Sequence, residues 1–251
     1  MDSRVTRIRE NERSSHTKVY TTEKLYESDG WLKKPIKTVE ETTGYFKVNQ
    51  EIRILDLGSG VGRNAIFLAK HFENINSGID CVDILPLAIE ILRENAEKYN
   101  VSSKINGIVS SIESFDIKPN YYDLIIGISS LEHIDTFENF CEKFKDIKDG
   151  LKDNGLVCLV INTNVSEFDK ISRQPIDPNF EINITTEELI ALFNEIFSDF
   201  DTIKLSKSLQ KYDIPRDDLI CELTSVVVTF VGKKKIKNSI ESSVKYEVVS
   251  H

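Results

Sequence analysis

The sequence predicts an α/β fold: a doubly wound sheet of seven strands, mostly parallel with the last strand reversed, and helices on both faces. Three observations carry this. Short apolar runs trade places with helix-length stripes from residue 52 onward, as parallel strands joined by crossover helices require. A turn with glycines at Gly58, Gly60 and Gly62 separates the first such run from its helix. Two closing apolar runs have no helix-length pattern between them, so they can pair antiparallel.

Taken in order, "IRILDL" (Ile52 to Leu57) reads as a buried strand, and Ala65, Ile66, Leu68, Ala69 and Phe72 give the next segment a helical stripe. "GIDCVDIL" is the second strand, followed by a helix that opens on Pro86 and turns Leu87, Ile91 and Leu92 inward. "INGIVSS" is a weak third strand and "YDLIIGISS" a strong fourth. A helix bearing Phe137, Phe140, Phe144 and Ile147 leads to the fifth, "GLVCLVIN". Thr185 and Glu188 are spaced as a capping box at the start of another helix, and "DTIKLSKS" and "LTSVVVTFVGKK" close the sheet. Upstream, a helix is expected from Lys33, with Pro35 in its first turn and Ile36, Val39 and Thr43 on one face. The organisation expected is a polar arm over 1–32, solvated or serving as a lid, one domain over 33–235, and a polar tail over 236–251.

The 251 residues carry 32 Lys and Arg against 41 Asp and Glu, a net charge of −9. The cations are not gathered in a stripe, which disfavours a protein that draws its affinity from phosphate neutralisation. Cys81, Cys141, Cys158 and Cys221 are far apart with no Cys-x-x-Cys pair. They suggest neither a disulfide framework nor zinc, and a reducing cytoplasm fits them. With no apolar run near the ~20 residues a membrane span needs, a soluble cytoplasmic protein is expected.

The glycine turn places backbone N–H groups at the carboxyl end of the sheet, where open α/β sheets bind ligands. Its ligand is constrained by its neighbours. A phosphate loop needs Lys and then Ser or Thr after the last glycine, but Gly62 is followed by Arg63-Asn64. The dinucleotide fingerprint needs its third glycine one residue later. Asp56, just before the first glycine, repels a pyrophosphate and can accept hydrogen bonds from an ammonium group.

With its acid-x-Gly-x-Gly-x-Gly pattern, "DLGSGVG" resembles the first motif of the class I S-adenosylmethionine-dependent methyltransferases, which are Rossmann-like. Three downstream segments extend the likeness. "CVDILPLAIEILREN" is similar to the family's second-strand segment, whose acid binds both ribose hydroxyls of the cofactor. The register of "VDILP" favours Asp83, followed by Ile84, although Asp80 lies near the same strand end. "SSIESF" puts Ile112 and Glu113 at the adenine edge, with Ser111 in place of the family's usual acid. "YYDLIIGISSLEHI" matches the fourth motif, with Ser129, Ser130 and Leu131 at the mouth. The resemblance implies S-adenosyl-L-methionine as cofactor, held by Asp56, Gly58, Ser59, Gly60, Asp83, Ile84, Ile112, Glu113 and Ser129. If the glycines served only close helix–sheet packing, these strand-end acids would be unexplained.

Methyl transfer is an in-line displacement that mainly needs alignment of donor and acceptor and removal of a proton, with no obligatory metal. His133 is the candidate base toward a hydroxyl, thiol or amine; the alternative is that it caps the next helix or lines the pocket. The fourth strand lacks the Asn/Asp-Pro-Pro-aromatic motif of exocyclic-amine methylation, so DNA is not expected as a partner. A small-molecule acceptor is, since "GWLKKP" with "DLGSGVGRNAIFLA" looks like the branch that includes tellurite-resistance and thiopurine-type methyltransferases. Tyr20 and Trp31 are candidates to cover the sulfonium, or Trp31 to anchor a helix. A catalytically silent S-adenosylmethionine-binding regulator and an RNA or protein methyltransferase stand as the alternatives.

Overall fold

The computed structural model describes residues 2–27, 29–47, 51–216 and 219–236. Among the described residues six α-helices, α1 (Ser3–Thr22), α2 (Lys37–Thr42), α3 (Arg63–His71), α4 (Pro86–Lys98), α5 (Phe137–Gly150) and α6 (Thr186–Ile196), accompany eight strands. The strands are β1 (Ile52–Leu57), β2 (Ser77–Asp83), β3 (Ile105–Val109), β4 (Tyr122–Ile128), β5 (Leu151–Asp169), β6 (Pro175–Ile176), β7 (Phe200–Arg216) and β8 (Leu219–Lys234). The sheet order is β3-β2-β1-β4-β5-β8-β7, with β6 paired to β5. β8 runs antiparallel to both its neighbours, which makes it the one reversed strand of the main path.

Because side chains alternate across a strand, successive residues of one strand feed two cores. Ile52 and Ile54 of β1 pack with Ala65, Leu68, Ile89 and Leu92 of α3 and α4. Leu55 and Leu57 pack on the other face with Phe140, Phe144, Leu189 and Phe193 of α5 and α6. The order reverses between β1 and β4, and it is at the carboxyl ends of those strands that such sheets open a crevice.

Several elements depart from the expectation. Residues 3–22 of the polar arm form a continuous helix docked on the body. Arg4 and Arg7 both pair with Asp177, and Val5, Ile8 and Tyr20 are buried. The helix expected from Lys33 begins at Lys37, because Lys34, just before Pro35, and Ile36 are extended and Ile36 is its N-cap. In α4 the inward face falls on Ala88, Ile89, Leu92 and Ala96, leaving Leu87 and Ile91 half-buried. Phe137, at the first turn of α5, is 54% exposed. The short β6 makes eight strands rather than seven. The capping box of α6 is formed, with Glu188 N donating to Thr185 Oγ1 and Thr185 N donating to Glu188 Oε2. All four cysteines are unpaired. Of the tail expected over 236–251, residues 237–251 lie outside the described residues.

Candidate functional site

The turn after β1 is hooked onto β2. The N–H groups of Gly58 and Ser59 both donate to the Val82 carbonyl, at 2.8 and 3.0 Å. Gly58 has φ 77°, and a Cβ there would meet Ser130 Cβ at 2.3 Å, so no other residue fits without displacing the β4 end. At Gly60 (φ 53°) the atom in the way is the Tyr20 hydroxyl of α1, at 2.7 Å. From behind, Asn95 of α4 donates to the Val61 carbonyl at 2.9 Å.

Asp83 ends β2 with its carboxylate fixed from both sides: Gly60 N donates to Oδ2 at 2.8 Å and Leu85 N to Oδ1 at 2.9 Å. Each oxygen retains a lone pair for a further donor. Burial raises the Asp83 pKa, and the two backbone bonds only partly offset it. Asp80 turns elsewhere, accepting from Asn106 and from the Tyr122 hydroxyl. Asp56 lies beneath the turn, 1% exposed, and its Oδ2 has no hydrogen-bond partner; nor has Ser59 Oγ. Burial, and then the neighbouring Asp83, push the Asp56 carboxyl up to about 7 against the pull of Arg63.

One cleft of about 160 Å³ joins these groups to the β4 end. Asp83, Ile84, Leu85, Ser111, Ile112 and Glu113 line it from the ends of β2 and β3, and Ser129, Ser130, His133 and Glu181 from the end of β4 and the segment before α6. Ser129 holds a left-handed φ of 51° where β4 ends, and Ser130 Oγ donates to the Leu57 carbonyl at 2.6 Å. The Ser111 hydroxyl is within 2.9 Å of Ser114, so the departure from the family's acid leaves a side chain with its own local partner.

Across the top lies α1, contributing Arg9, Glu12, Arg13, His16 and Tyr20 to the lining. Arg9 Nη2 pairs with Glu113 Oε1 at 2.6 Å, and its Nε lies 3.6 Å from Glu181 Oε1. His133 Nδ1 is 2.8 Å from Glu181 Oε2, and its ring stacks on Phe180 with centroids 5.3 Å apart. Burial works to lower the His133 pKa, but the bond to Glu181 and the charges of Glu132, Glu12 and Glu181 raise it to about 9. Glu132 is enclosed below the cleft, its Oε1 accepting from the Asn162 backbone and side-chain amides.

Of the residues singled out from sequence, Gly58, Asp83, Ile84, Ile112, Glu113, Ser129, His133 and Tyr20 line this cleft. Asp56, at the end of β1, and Ser59 and Gly60 of the turn are not among its lining residues. Trp31 does not line it: the ring is 45% exposed, with the Arg63 guanidinium 5.2 Å from its centroid and Tyr20 at 6.1 Å. Arg9, Glu12, Arg13, His16 and Glu181 were not anticipated. The Arg4, Arg7, Arg9 and Arg13 series was visible in the sequence, but the carboxylates it meets are more than 100 positions away.

These residues fit S-adenosylmethionine. The unpartnered Asp56 Oδ2 and Ser59 Oγ lie where buried acceptors ordinarily find a donor. The fixed Asp83 carboxylate suits a pair of hydroxyls.

Residues 54–155 match the methyltransferase domain family. The ubiquinone biosynthesis O-methyltransferase of Rickettsia canadensis is 29% identical over 122 residues, 48% of this chain and 47% of that protein. The chain thus spans about half the length of the curated relative it matches. Among solved structures, TehB from Haemophilus influenzae superposes with a TM-score of 0.61 at 19% identity, over 80% of this chain and 62% of that one. YcgJ from Bacillus subtilis gives 0.56 at 14%, over 79% and 98%. The [4+2]-cyclase SpnF gives 0.55 at 11%, over 80% and 81%, so likeness of fold does not by itself fix the reaction. The sheet order and the cleft accord with the match of residues 54–155 to the methyltransferase domain family, and the solved neighbours share the fold.

Proposed function

We propose that this chain transfers a methyl group from S-adenosylmethionine to a small-molecule acceptor by in-line displacement. The observation that carries the reading is the cleft lined by Gly58, Asp83 and His133, with the unpartnered carboxylate oxygen Oδ2 of Asp56 buried at the end of β1 beside the turn. Bound there, the cofactor supplies a methyl group activated by a sulfonium. Asp83 would accept from the ribose hydroxyls, Ile112 and Glu113 would border the adenine, and Asp56 and Ser59 would take the amino-acid end. Ser129 and Ser130 close the floor at the acceptor end, leaving His133 to face the acceptor. The curated relative's name, an O-methyltransferase, favours an oxygen acceptor.

In this reading α1 is a lid. The cleft of about 160 Å³ is below the roughly 300–1,000 Å³ usual for small-molecule sites, because Tyr20, His16 and Arg9 reach into it. For cofactor to enter, α1 shifts outward and the pairs of Arg4, Arg7 and Arg9 re-form over it. A cytoplasmic location is in keeping with four unpaired cysteines. No helix among the described residues is long and apolar enough to cross a membrane.

Calorimetric titration with S-adenosylhomocysteine tests the reading. Binding is expected, and Asp83→Ala should weaken it about 100-fold or more, since two hydrogen bonds to a charged group are lost at about 1.5–3 kcal/mol each. No heat of binding to the unaltered protein, with no rise in Tm, would refute it.

A further inference from the structure

The acceptor end of the cleft contains charges that the cofactor does not need. We propose that the methyl acceptor is a weakly acidic hydroxyl or thiol, a phenol or thiol group rather than an amine, bound as its anion against the protonated Nε2 of His133 while Glu181 holds Nδ1. The inference rests on the methyl-transfer reading above and narrows it.

The geometry fixes the roles of the two ring nitrogens. Glu181, its side chain 1% exposed, can only accept when ionised, so the Nδ1 bond at 2.8 Å keeps a proton on that nitrogen. Among the described residues no group bonds Nε2, and the ring, 28% exposed, lines the cleft. Phe180 fixes the ring plane. Glu181 is thus a positioning residue, and Arg9 in turn sits against its other oxygen.

The charges facing His133 select the acceptor. They are Glu132 from its own turn, Glu181 from the segment before α6 and Glu12 from α1. Glu12 is engaged by His16 at 3.2 Å, Glu181 by His133 and Arg9, and Glu132 is walled off from the cleft. The cations are less occupied: Arg13 lines the cleft and, among the described residues, forms no ion pair. An ammonium would therefore meet a charged imidazole and a guanidinium, whereas a phenolate or thiolate would be held by them. Acidity points the same way. A thiol at about 8.5 or a phenol at about 10 is acidic enough for a neighbouring imidazolium and guanidinium to favour its anion at working pH. An aliphatic hydroxyl, nearly as weak an acid as water at about 15.7, is out of reach.

In the step, the O–H or S–H bond breaks as the acceptor binds, its proton passing to solvent and its electron pair staying on oxygen or sulfur, where the Nε2–H of the imidazolium donates to it. That pair forms the bond to the methyl carbon as the carbon–sulfonium bond breaks. Its electrons stay on the departing sulfur, a neutral thioether, and His133 keeps its proton throughout.

The test needs no turnover. With S-adenosylhomocysteine bound, 4-nitrophenol and 4-nitrothiophenol are titrated by absorbance, in separate arms, for the ionisation midpoint of the bound probe. A midpoint lowered by one pH unit or more is expected in at least one arm, which identifies oxygen or sulfur. His133→Gln should abolish the shift and Glu181→Gln reduce it, both still binding S-adenosylhomocysteine. The imidazole titration of His133, followed by NMR, should move down in Glu181→Gln. Benzylamine should not displace the probe. An unshifted midpoint, a shift that survives in His133→Gln, displacement by the amine, or failure of both probes to bind while S-adenosylhomocysteine does, overturns the inference. Failure of S-adenosylhomocysteine to bind at all overturns the methyl-transfer reading instead.

Discussion

Asp56 should make cofactor binding depend on pH. Its carboxyl is raised to about 7 by burial and by Asp83, and its Oδ2 has no partner. A ligand ammonium placed against it restores the ordinary carboxylate pKa of about 3.9, so binding selects the ionised form. In the free protein the fraction ionised is about 1% at pH 5 and half at pH 7. Affinity for S-adenosylhomocysteine should therefore rise about 50-fold between those pH values, about 2.3 kcal/mol at 1.36 kcal/mol per tenfold change. The sign for stability is opposite. A carboxyl raised above its unfolded value makes the native state hold the extra proton, so the unliganded protein loses stability as pH climbs from about 4 to 7. The Tm increment given by the ligand should grow over the same interval. Calorimetry in buffers of different ionisation heat counts the proton released on binding at pH 6, expected near one. In Asp56→Asn both the slope and the proton should vanish. An affinity flat from pH 5 to 7, or an Asp56→Asn slope equal to that of the unaltered protein, would show that Asp56 does not face the ligand's charge.

Three further outcomes follow from local geometry. Gly58→Ala brings a Cβ within 2.3 Å of Ser130 Cβ at a φ of 77°. It should cost about 2–3 kcal/mol, a fall in Tm of about 4–12 °C, and an unchanged melting curve would contradict the packing described. Thr185→Ala removes the reciprocal cap of α6 at about 1 kcal/mol, with Thr185→Ser restoring most of the lost Tm. Asp177→Asn removes the carboxylate shared by Arg4 and Arg7. Amide exchange over residues 3–22 should accelerate while β1 and β4 stay protected, and uniform exchange rates would show that α1 is held by something else.

The sheet was legible because its signals are local. A strand such as Ile52–Leu57 is apolar on both faces, so composition alone marks it, and Pro86 or the Thr185–Glu188 pair marks where a helix begins. Phase is harder to read. In α4 the small Ala88 and Ala96 face the sheet, and a reading that seeks the largest apolar side chains picks Leu87 and Ile91 instead. Helix α1 was illegible as part of the body for a related reason. Its apolar contribution is slight, and much of its attachment is ion pairing to Asp177, Glu113 and Glu181, whose positions relative to it only the closed fold supplies.

The same distinction divides the site. The cofactor half is written in contiguous motifs because one strand, one turn and one helix build it, and Asp83 stands where its register puts it. The acceptor half is assembled from α1, the β4–α5 turn and the segment before α6, so His133 was visible only as a solitary titratable residue. Its reference pKa of about 6.5 suggests a base already neutral at working pH. Three carboxylates from three elements invert that: at about 9 the ring carries a proton in the free site. A charged ring favours an acceptor that binds as its anion. The choice of acceptor is therefore governed less by the shape of the cleft than by the electrostatic setting of one imidazole. Glu12, on the lid, is part of that setting, so closing α1 over the cofactor also raises the proton affinity of the group that faces the acceptor.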